Sequence, residues 1–179
     1  MNQSYLLAQQ ASPLATPLPR LRPAQARLRA SDPAVRAMND FVDDPPSTVA
    51  EDAGVEEVID HMFRLGVRAF LVVREFSVVG LITAEDASAA REARREARRS
   101  QFRGGAGARE LRAADVMTPT HDVPAIDWQT LQDSRISDLQ EIFEATDVRY
   151  LVVMQAETAN WCTVRGLIHR RRLERQLGS

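Results

Sequence analysis

The stretch VRAFLVVREFSVVGLITAED, residues 67–86, decides the fold. It contains two runs rich in β-branched residues, 69–73 and 78–83, separated by a short charged segment. Runs of this length and composition predict two antiparallel strands joined as a hairpin. The hairpin ends in the segment 80–86, where a strand gives way to a helix and a threonine is followed three residues later by an aspartate.

The same pattern recurs in residues 148–172, VRYLVVMQAETANWCTVRGLIHRRR. The LVV at 71–73 returns at an offset of 81 residues, and the GLI at 80–82 returns at an offset of 86, so the second hairpin has five more loop residues. The segments before the hairpins, 55–66 and 136–147, also align, with apolar residues at the i, i+3, i+7 spacing of one helix face. The chain therefore contains an internal duplication.

A shorter echo lies upstream, where AMND at 37–40 resembles DVMT at 115–118. Each copy thus consists of a lead-in, a helix, two strands and the start of a last helix. Units of roughly 60–70 residues bury little surface alone, so we expect the copies to pack against each other. We divide the chain into a flexible proline-rich tail (1–33), repeat 1 (34–90), an arginine-rich helix with a glycine-rich linker (91–109), and repeat 2 (110–179).

The charge distribution is uneven along the 179 residues. All 23 basic residues are arginine; residues 34–90 carry four of them against eleven acidic residues, and residues 91–109 carry seven against two. No apolar run reaches the ~18 residues of a membrane span, and we see no secretory leader. The single cysteine, Cys162, cannot form an internal disulfide. We therefore predict a cytoplasmic protein without membrane contact.

Catalytic and metal-binding patterns are missing from the sequence. The three histidines are far apart, and no zinc-ligand spacing, nucleophile motif or phosphate-binding glycine loop is present. We predict neither an enzyme nor a metal site. The arginine-rich segment 91–103 suggests nucleic acid, but Glu92 and Glu96 interrupt it and no aromatic row accompanies it. We therefore expect no nucleic-acid partner, and interpret the segment as a solvated helix that contacts the acidic face of a second subunit.

The segment AADVMTP at 113–119, the helix–VR–LVV run of each copy and VVGLITAED at 78–86 together resemble a tandem pair of CBS domains. These cystathionine-β-synthase-type repeats form Bateman modules. The resemblance covers most of the chain and implies an α/β fold of duplicated β-α-β-β-α units. It implies two small three-stranded sheets, with helices on one side, packed with pseudo-twofold symmetry. It also implies a homodimer.

Chemistry is expected at the junction of strand and helix that carries Thr83 and Asp86. Backbone N–H groups at such a junction favour anions, and a carboxylate there can accept hydrogen bonds from ribose hydroxyls. The alternative is structural, with Asp86 only capping its helix. The resemblance implies that these two residues bind an adenosyl ligand, with Arg68 (Arg149 in the second copy) near the phosphates. It places the adenine against the lead-in segment that includes Ser47 and Thr48.

The second copy departs from this pattern, because His169 and Arg172 replace the threonine and the aspartate. A carboxylate for ribose is therefore absent there. The basic cluster 169–172 could hold phosphates of a ligand lying between the copies, or could be a solvated turn that pairs with acidic groups of a partner.

Two functions remain open from the sequence. The chain is a regulatory module with no obligatory cofactor that binds an adenine nucleotide or S-adenosylmethionine, or it is a ligand-free scaffold that docks a protein effector through arginine-rich surfaces.

Overall fold

The computed structural model describes residues 27–100, 109–158 and 161–178. A short 3-10 turn, Ala34–Ala37, precedes the strands and helices. The strands are β1 (Met38–Asp40), β2 (Thr48–Ala50), β3 (Ala69–Arg74), β4 (Ser77–Thr83), β5 (Thr118–Pro119), β6 (Ala125–Asp127), β7 (Tyr150–Thr158) and β8 (Trp161–His169). The helices are α1 (Val55–Leu65), α2 (Ala84–Ser100), α3 (Ala113–Val116), α4 (Trp128–Asp133), α5 (Ile136–Ala145) and α6 (Arg170–Leu177). The duplicated α/β order that the sequence predicts is confirmed.

The strands form two small sheets, ordered β2-β3-β4-β5 and β1-β8-β7-β6. Each sheet therefore has four strands rather than the predicted three, because the repeats exchange an edge strand. Strand β5 leads into repeat 2 but pairs with β4 of repeat 1, with Gly80 opposite Pro119. Strand β1 leads into repeat 1 but pairs with β8 of repeat 2, with Gly166 opposite Asp40.

Two glycines permit this exchange. A Cβ atom on Gly80 would lie 2.6 Å from the sulfur of Met117 and 2.7 Å from the carbonyl oxygen of Thr118. A Cβ atom on Gly166 would lie 2.6 Å from the carbonyl oxygen of Asn39. No side chain fits at these distances, so glycine is required where the exchanged strands cross. The echo between 37–40 and 115–118 marks these two strands.

Each sheet is covered by the amphipathic helix of its own repeat. Gly54 precedes α1, and Gly66 ends it in the left-handed conformation with φ of 65°. The predicted apolar faces are buried, as Val55, Val58 and Met62 in α1 and as Ile136, Leu139 and Phe143 in α5. These faces anchor the helices on the sheets, so the strand ends that follow them are held in fixed positions.

A third cluster of buried side chains joins the two repeats. It contains Leu71 and Leu81 of the first sheet and Tyr150 of the second, with Leu167 packed against them. All four lie on the hairpin strands β3, β4, β7 and β8. The two sheets therefore meet through equivalent hairpins, as expected for a pseudo-twofold pair.

The tail is shorter than predicted. Leu28 is only 4% exposed and belongs to the core of repeat 2, and its backbone N–H donates to the carbonyl of Gln176 at 2.9 Å. Residues 27–33 therefore belong to the folded unit. Leu28 supplies core contacts that the proline-rich composition of this segment does not predict. Residues 1–26 and the predicted glycine linker 104–107 lie outside the described residues. Among the helices described, none is long and apolar enough to cross a membrane.

Candidate functional site

One cleft, here the first cleft, lies where β4 ends and α2 begins. Its volume is about 290 Å³. Repeat 1 contributes the end of β4 and the first turn of α2, and repeat 2 contributes its lead-in segment and the turn before β7. The lining residues are Leu81, Thr83, Asp86, Thr118, Val123, Pro124, Asp147, Val148, Arg149 and Tyr150.

Thr83 and Asp86 form a local hydrogen-bonded pair at the floor of the first cleft. The Thr83 hydroxyl donates to Oδ2 of Asp86 at 2.6 Å and accepts the Asp86 backbone N–H at 3.2 Å. Thr83 thus caps α2 and fixes the carboxylate, whereas the structural alternative drawn from the sequence assigned the cap to Asp86. Only one oxygen of Asp86 is used in this pair, so capping leaves Oδ1 available to a ligand.

A second cleft occupies the equivalent position at the end of β8, with a volume of about 360 Å³. Here repeat 2 supplies the strand end and the start of α6, and repeat 1 supplies its lead-in segment and the turn before β3. Its polar and charged lining residues are Asn39, Asp44, Ser47, Arg68, Tyr150, His169, Arg172 and Arg175. The two clefts are therefore related by the internal duplication.

The structure distributes the predicted site residues over different places. Thr83 and Asp86 share the first cleft with Arg149 rather than with Arg68. Arg68 and Ser47 line the second cleft together with His169 and Arg172. Thr48 lines neither, and instead borders an apolar groove of about 540 Å³ between the sheets. The cause is the packing of the repeats, because each cleft combines the strand end of one repeat with the lead-in segment and turn of the other.

Tyr150 forms the wall that separates the clefts and lines both of them. Its hydroxyl donates to the backbone carbonyl of Arg68 at 3.3 Å, and the edge of its ring contacts the imidazole of His169 with centroids 4.5 Å apart. Burial, reinforced by the carboxylate of Glu85, raises the pKa of Tyr150 to about 12. The phenol therefore remains a neutral donor in the physiological range.

An ion pair between Arg68 and Glu85 lies beside this wall. Burial raises the pKa of Glu85, but the hydrogen bond and charge of Arg68 and the nearby Arg149 outweigh it and hold the pKa below its ordinary value. Burial lowers the pKa of His169, against the opposing effect of Glu85. Oε2 of Glu85 and Nδ1 of His169 are buried and find no hydrogen-bond partner in the described part of the chain.

Sequence reasoning missed Glu85 and Tyr150. Glu85 adjoins the Thr83–Asp86 motif, and Tyr150 directly follows Arg149, so each is next to a predicted position. Their significance lies in contacts between the two repeats, which neighbouring sequence does not reveal. Within residues 27–100, 109–158 and 161–178, no group of three or more His, Cys, Asp or Glu side chains could hold a metal ion.

Comparison with known proteins finds a family whose model matches part of the sequence. The family model for the CBS domain matches residues 37–92. No curated protein sequence matches the chain.

Similar folds occur among solved structures. The crystal structure of CBSX2, a CBS-pair protein of Arabidopsis thaliana, in complex with AMP has a TM-score of 0.54 at 16% identity; it covers 80% of this chain and 94% of that one. A hemolysin-like protein with a CBS domain from Oenococcus oeni has a TM-score of 0.56 at 15% identity. The match covers 84% of this chain and 93% of that one. The CBS domain of a bacterial Mg²⁺ transporter of the CNNM/CorC family, in complex with an inhibitor, has a TM-score of 0.54 at 14% identity. The match covers 83% of this chain and 77% of that one.

The matched segment ends in α2, just after the Thr83–Asp86 motif. The similar structures extend over both repeats, with their shared fold. The CBS-domain family model therefore matches the first repeat, and the two repeats together share the fold of solved CBS-pair structures.

Proposed function

We propose that the chain is a regulatory module whose first cleft binds an adenosyl ligand such as AMP, ADP, ATP or S-adenosylmethionine. The observation that carries the proposal is the convergence of a fixed carboxylate, Asp86, and a guanidinium, Arg149, on one cleft built from both repeats. The volume of about 290 Å³ lies just below the roughly 300–1,000 Å³ found for small-molecule pockets. The complex of the similarly folded CBSX2 with AMP supports the same ligand class.

Each group has a distinct role in this proposal. Oδ1 of Asp86 accepts hydrogen bonds from ribose hydroxyls, while the bond from Thr83 holds the carboxylate in place. Thr83 thereby acts as a positioning residue, since its hydroxyl proton is already given to Asp86. Arg149 supplies the cation for a phosphate, a task for which a guanidinium has suitable geometry. Val123 and Pro124 offer an apolar surface for the adenine, in place of Ser47 and Thr48.

Regulation follows from the composition of the cleft. A ligand that contacts Asp86 of repeat 1 and Arg149 of repeat 2 favours the one relative position of the repeats that satisfies both contacts. Its binding free energy therefore shifts the population of arrangements. We propose that a protein effector or the second subunit of a homodimer detects this shift, and that the chain itself catalyses no reaction.

The test is a thermal-shift and calorimetric screen of the full chain against AMP, ADP, ATP and S-adenosylmethionine. A ligand at 100 times its Kd adds about 2.7 kcal/mol of stability, which is a rise of roughly 5–10 °C for a chain of this size. Asp86→Ala should abolish the rise. Asp60→Ala, which removes an exposed carboxylate from α1, is the matched control and should leave it intact.

A second variant keeps the test valid if Asp86→Ala disturbs the cap of α2. Arg149 is exposed, and Arg149→Gln should weaken AMP binding while leaving adenosine binding unchanged. Circular dichroism checks the fold of both variants. Unaltered AMP binding by Asp86→Ala, or no shift with any of the four compounds, would contradict the proposal.

A ligand-free docking scaffold is the second candidate, favoured by the arginine-rich face of α2. Arg91, Arg94, Arg95 and Arg98 recur at helical spacing and line a groove of about 490 Å³. Arg91 lies 3.6 Å from Glu56 of α1 within this groove. A dimer held by such a face should dissociate as ionic strength rises, because salt screens exposed charges. Sedimentation at two salt concentrations separates this candidate from a ligand-dependent module.

A further inference from the structure

The two clefts differ in charge although the duplication relates them. The charged residues that line the first cleft are two carboxylates and one guanidinium, Asp86, Asp147 and Arg149. Those that line the second are three guanidinium groups and one carboxylate, Arg68, Arg172, Arg175 and Asp44. An equivalent ligand is therefore not expected in both.

Arg172 occupies the position in the second cleft that Asp86 has in the first. Its Nη1 donates to Oδ1 of Asn39 at 2.6 Å, which holds the side chain against the exchanged strand β1. A guanidinium has donors only and accepts no hydrogen bond. It cannot receive the hydroxyl protons of a ribose, but its planar donors match the oxygens of a phosphate.

Two further features of the second cleft favour a negatively charged ligand. The first turn of α6 carries Arg170, Arg171 and Arg172 in succession, where the helix dipole disfavours cations. Of these, Arg172 lines the cleft, and Arg170 is paired with Glu174 at 2.9 Å. His169 occupies the position of Thr83, and its buried Nδ1 has no partner among the residues that the structure describes. A bound anion would offset the positive charge at the start of α6. It would also accept a hydrogen bond from Nδ1 of His169.

We infer that the second cleft is an anion site that takes a chain of phosphates, as in pyrophosphate, tripolyphosphate or the phosphate tail of a nucleotide, without the ribose contact that Asp86 offers in the first cleft. Arg172 and Arg175 hold the phosphates, and His169 supplies a further donor. Arg68 also faces this cleft but is shared with Glu85. The inference does not require the adenosyl site, because its residues lie in a different cleft.

The test is isothermal titration of the full chain with tripolyphosphate at low salt. Binding to one site per chain is expected. Arg172→Gln and Arg175→Gln should each weaken it at least tenfold, the typical loss for one charge-assisted contact. Arg171→Gln removes the same charge from the same helix but outside the cleft, and should change binding less than threefold. Asp86→Ala should leave tripolyphosphate binding intact.

Arg175→Gln keeps the test valid if Arg172→Gln loosens β1. Among the described residues, the hydrogen bond that Arg175 makes is a long one, 3.3 Å, to the backbone of its own helix. The source of the phosphates is resolved with ATP and adenosine added to Asp86→Ala. Competition by ATP but not adenosine supports the inference. The inference would be overturned if tripolyphosphate did not bind at millimolar concentration or were displaced by adenosine. It would also be overturned if Asp86→Ala lost tripolyphosphate binding, or if the Arg171 and Arg172 variants lost it equally.

Discussion

Replacing Gly80 or Gly166 by alanine tests the strand exchange that builds both clefts. The new Cβ on Gly80 would lie 2.7 Å from the backbone oxygen of Thr118, and that on Gly166 2.6 Å from the backbone oxygen of Asn39. Ordinary contact begins at 3.4 Å, so each exchanged strand must retreat by about 0.7–0.8 Å. Overpacking of this kind costs about 1–3 kcal/mol.

Urea unfolding of the two single variants and the double variant measures this cost. The sites lie in different sheets, so the losses should add to about 2–6 kcal/mol in the double variant. Gly54→Ala is the control, because its φ of −67° suits alanine and its nearest neighbour is the flexible side chain of Glu110; it should change the free energy of unfolding by no more than about 1 kcal/mol. Single variants within about 0.5 kcal/mol of the parent would refute the crossing geometry.

The same pair of variants distinguishes the clefts. Thr118 lines the first cleft and Asn39 lines the second. Gly80→Ala should therefore weaken AMP more than tripolyphosphate, and Gly166→Ala should do the reverse. The two titrations use folded protein, so this comparison is independent of the stability measurement.

Three further predictions concern the wall between the clefts. Because burial keeps the pKa of His169 below 6.5 in the folded state, the unfolded chain takes up this proton first. The free energy of unfolding should therefore fall as the pH drops from about 7 to about 5, and His169→Gln should flatten that part of a urea-midpoint profile. Tyr150→Phe removes the 3.3 Å bond to the carbonyl of Arg68 and should cost about 0.5–1.5 kcal/mol in the same assay. Glu85→Gln frees Arg68 from its ion pair and should raise tripolyphosphate affinity a few-fold in calorimetry; an unchanged or lower affinity contradicts the assignment of Arg68 to that cleft.

The sequence was sufficient to predict the duplication, with the amphipathic helix and the hairpin of each copy, but not the exchanged strands β1 and β5. Local patterns carry that information, since the face of Val55, Val58 and Met62 and the β-branched hairpin runs are both set by residues close together in the chain. The end of α1 at Gly66 was predictable for the same reason. The core contact of Leu28 was not predictable, because a single apolar residue in a proline-rich segment shows no helix or strand periodicity.

The composition of the clefts could be predicted only in part. Thr83 and Asp86 are close in the chain and share a cleft, as expected. Arg68 is also near them in sequence, and its backbone bonds to Ala84 at the start of α2, yet its side chain faces the other cleft. The side on which it lies depends on how the repeats dock through Leu81 and Tyr150, a long-range contact that no local pattern specifies.

A crystal structure of the full chain grown with saturating AMP tests the central claim most directly. The account predicts AMP in the first cleft, with a ribose hydroxyl within hydrogen-bond distance of Asp86, about 2.5–3.0 Å, and the phosphate beside Arg149. AMP bound only in the second cleft, or a first cleft that stays empty at saturating AMP, would contradict it.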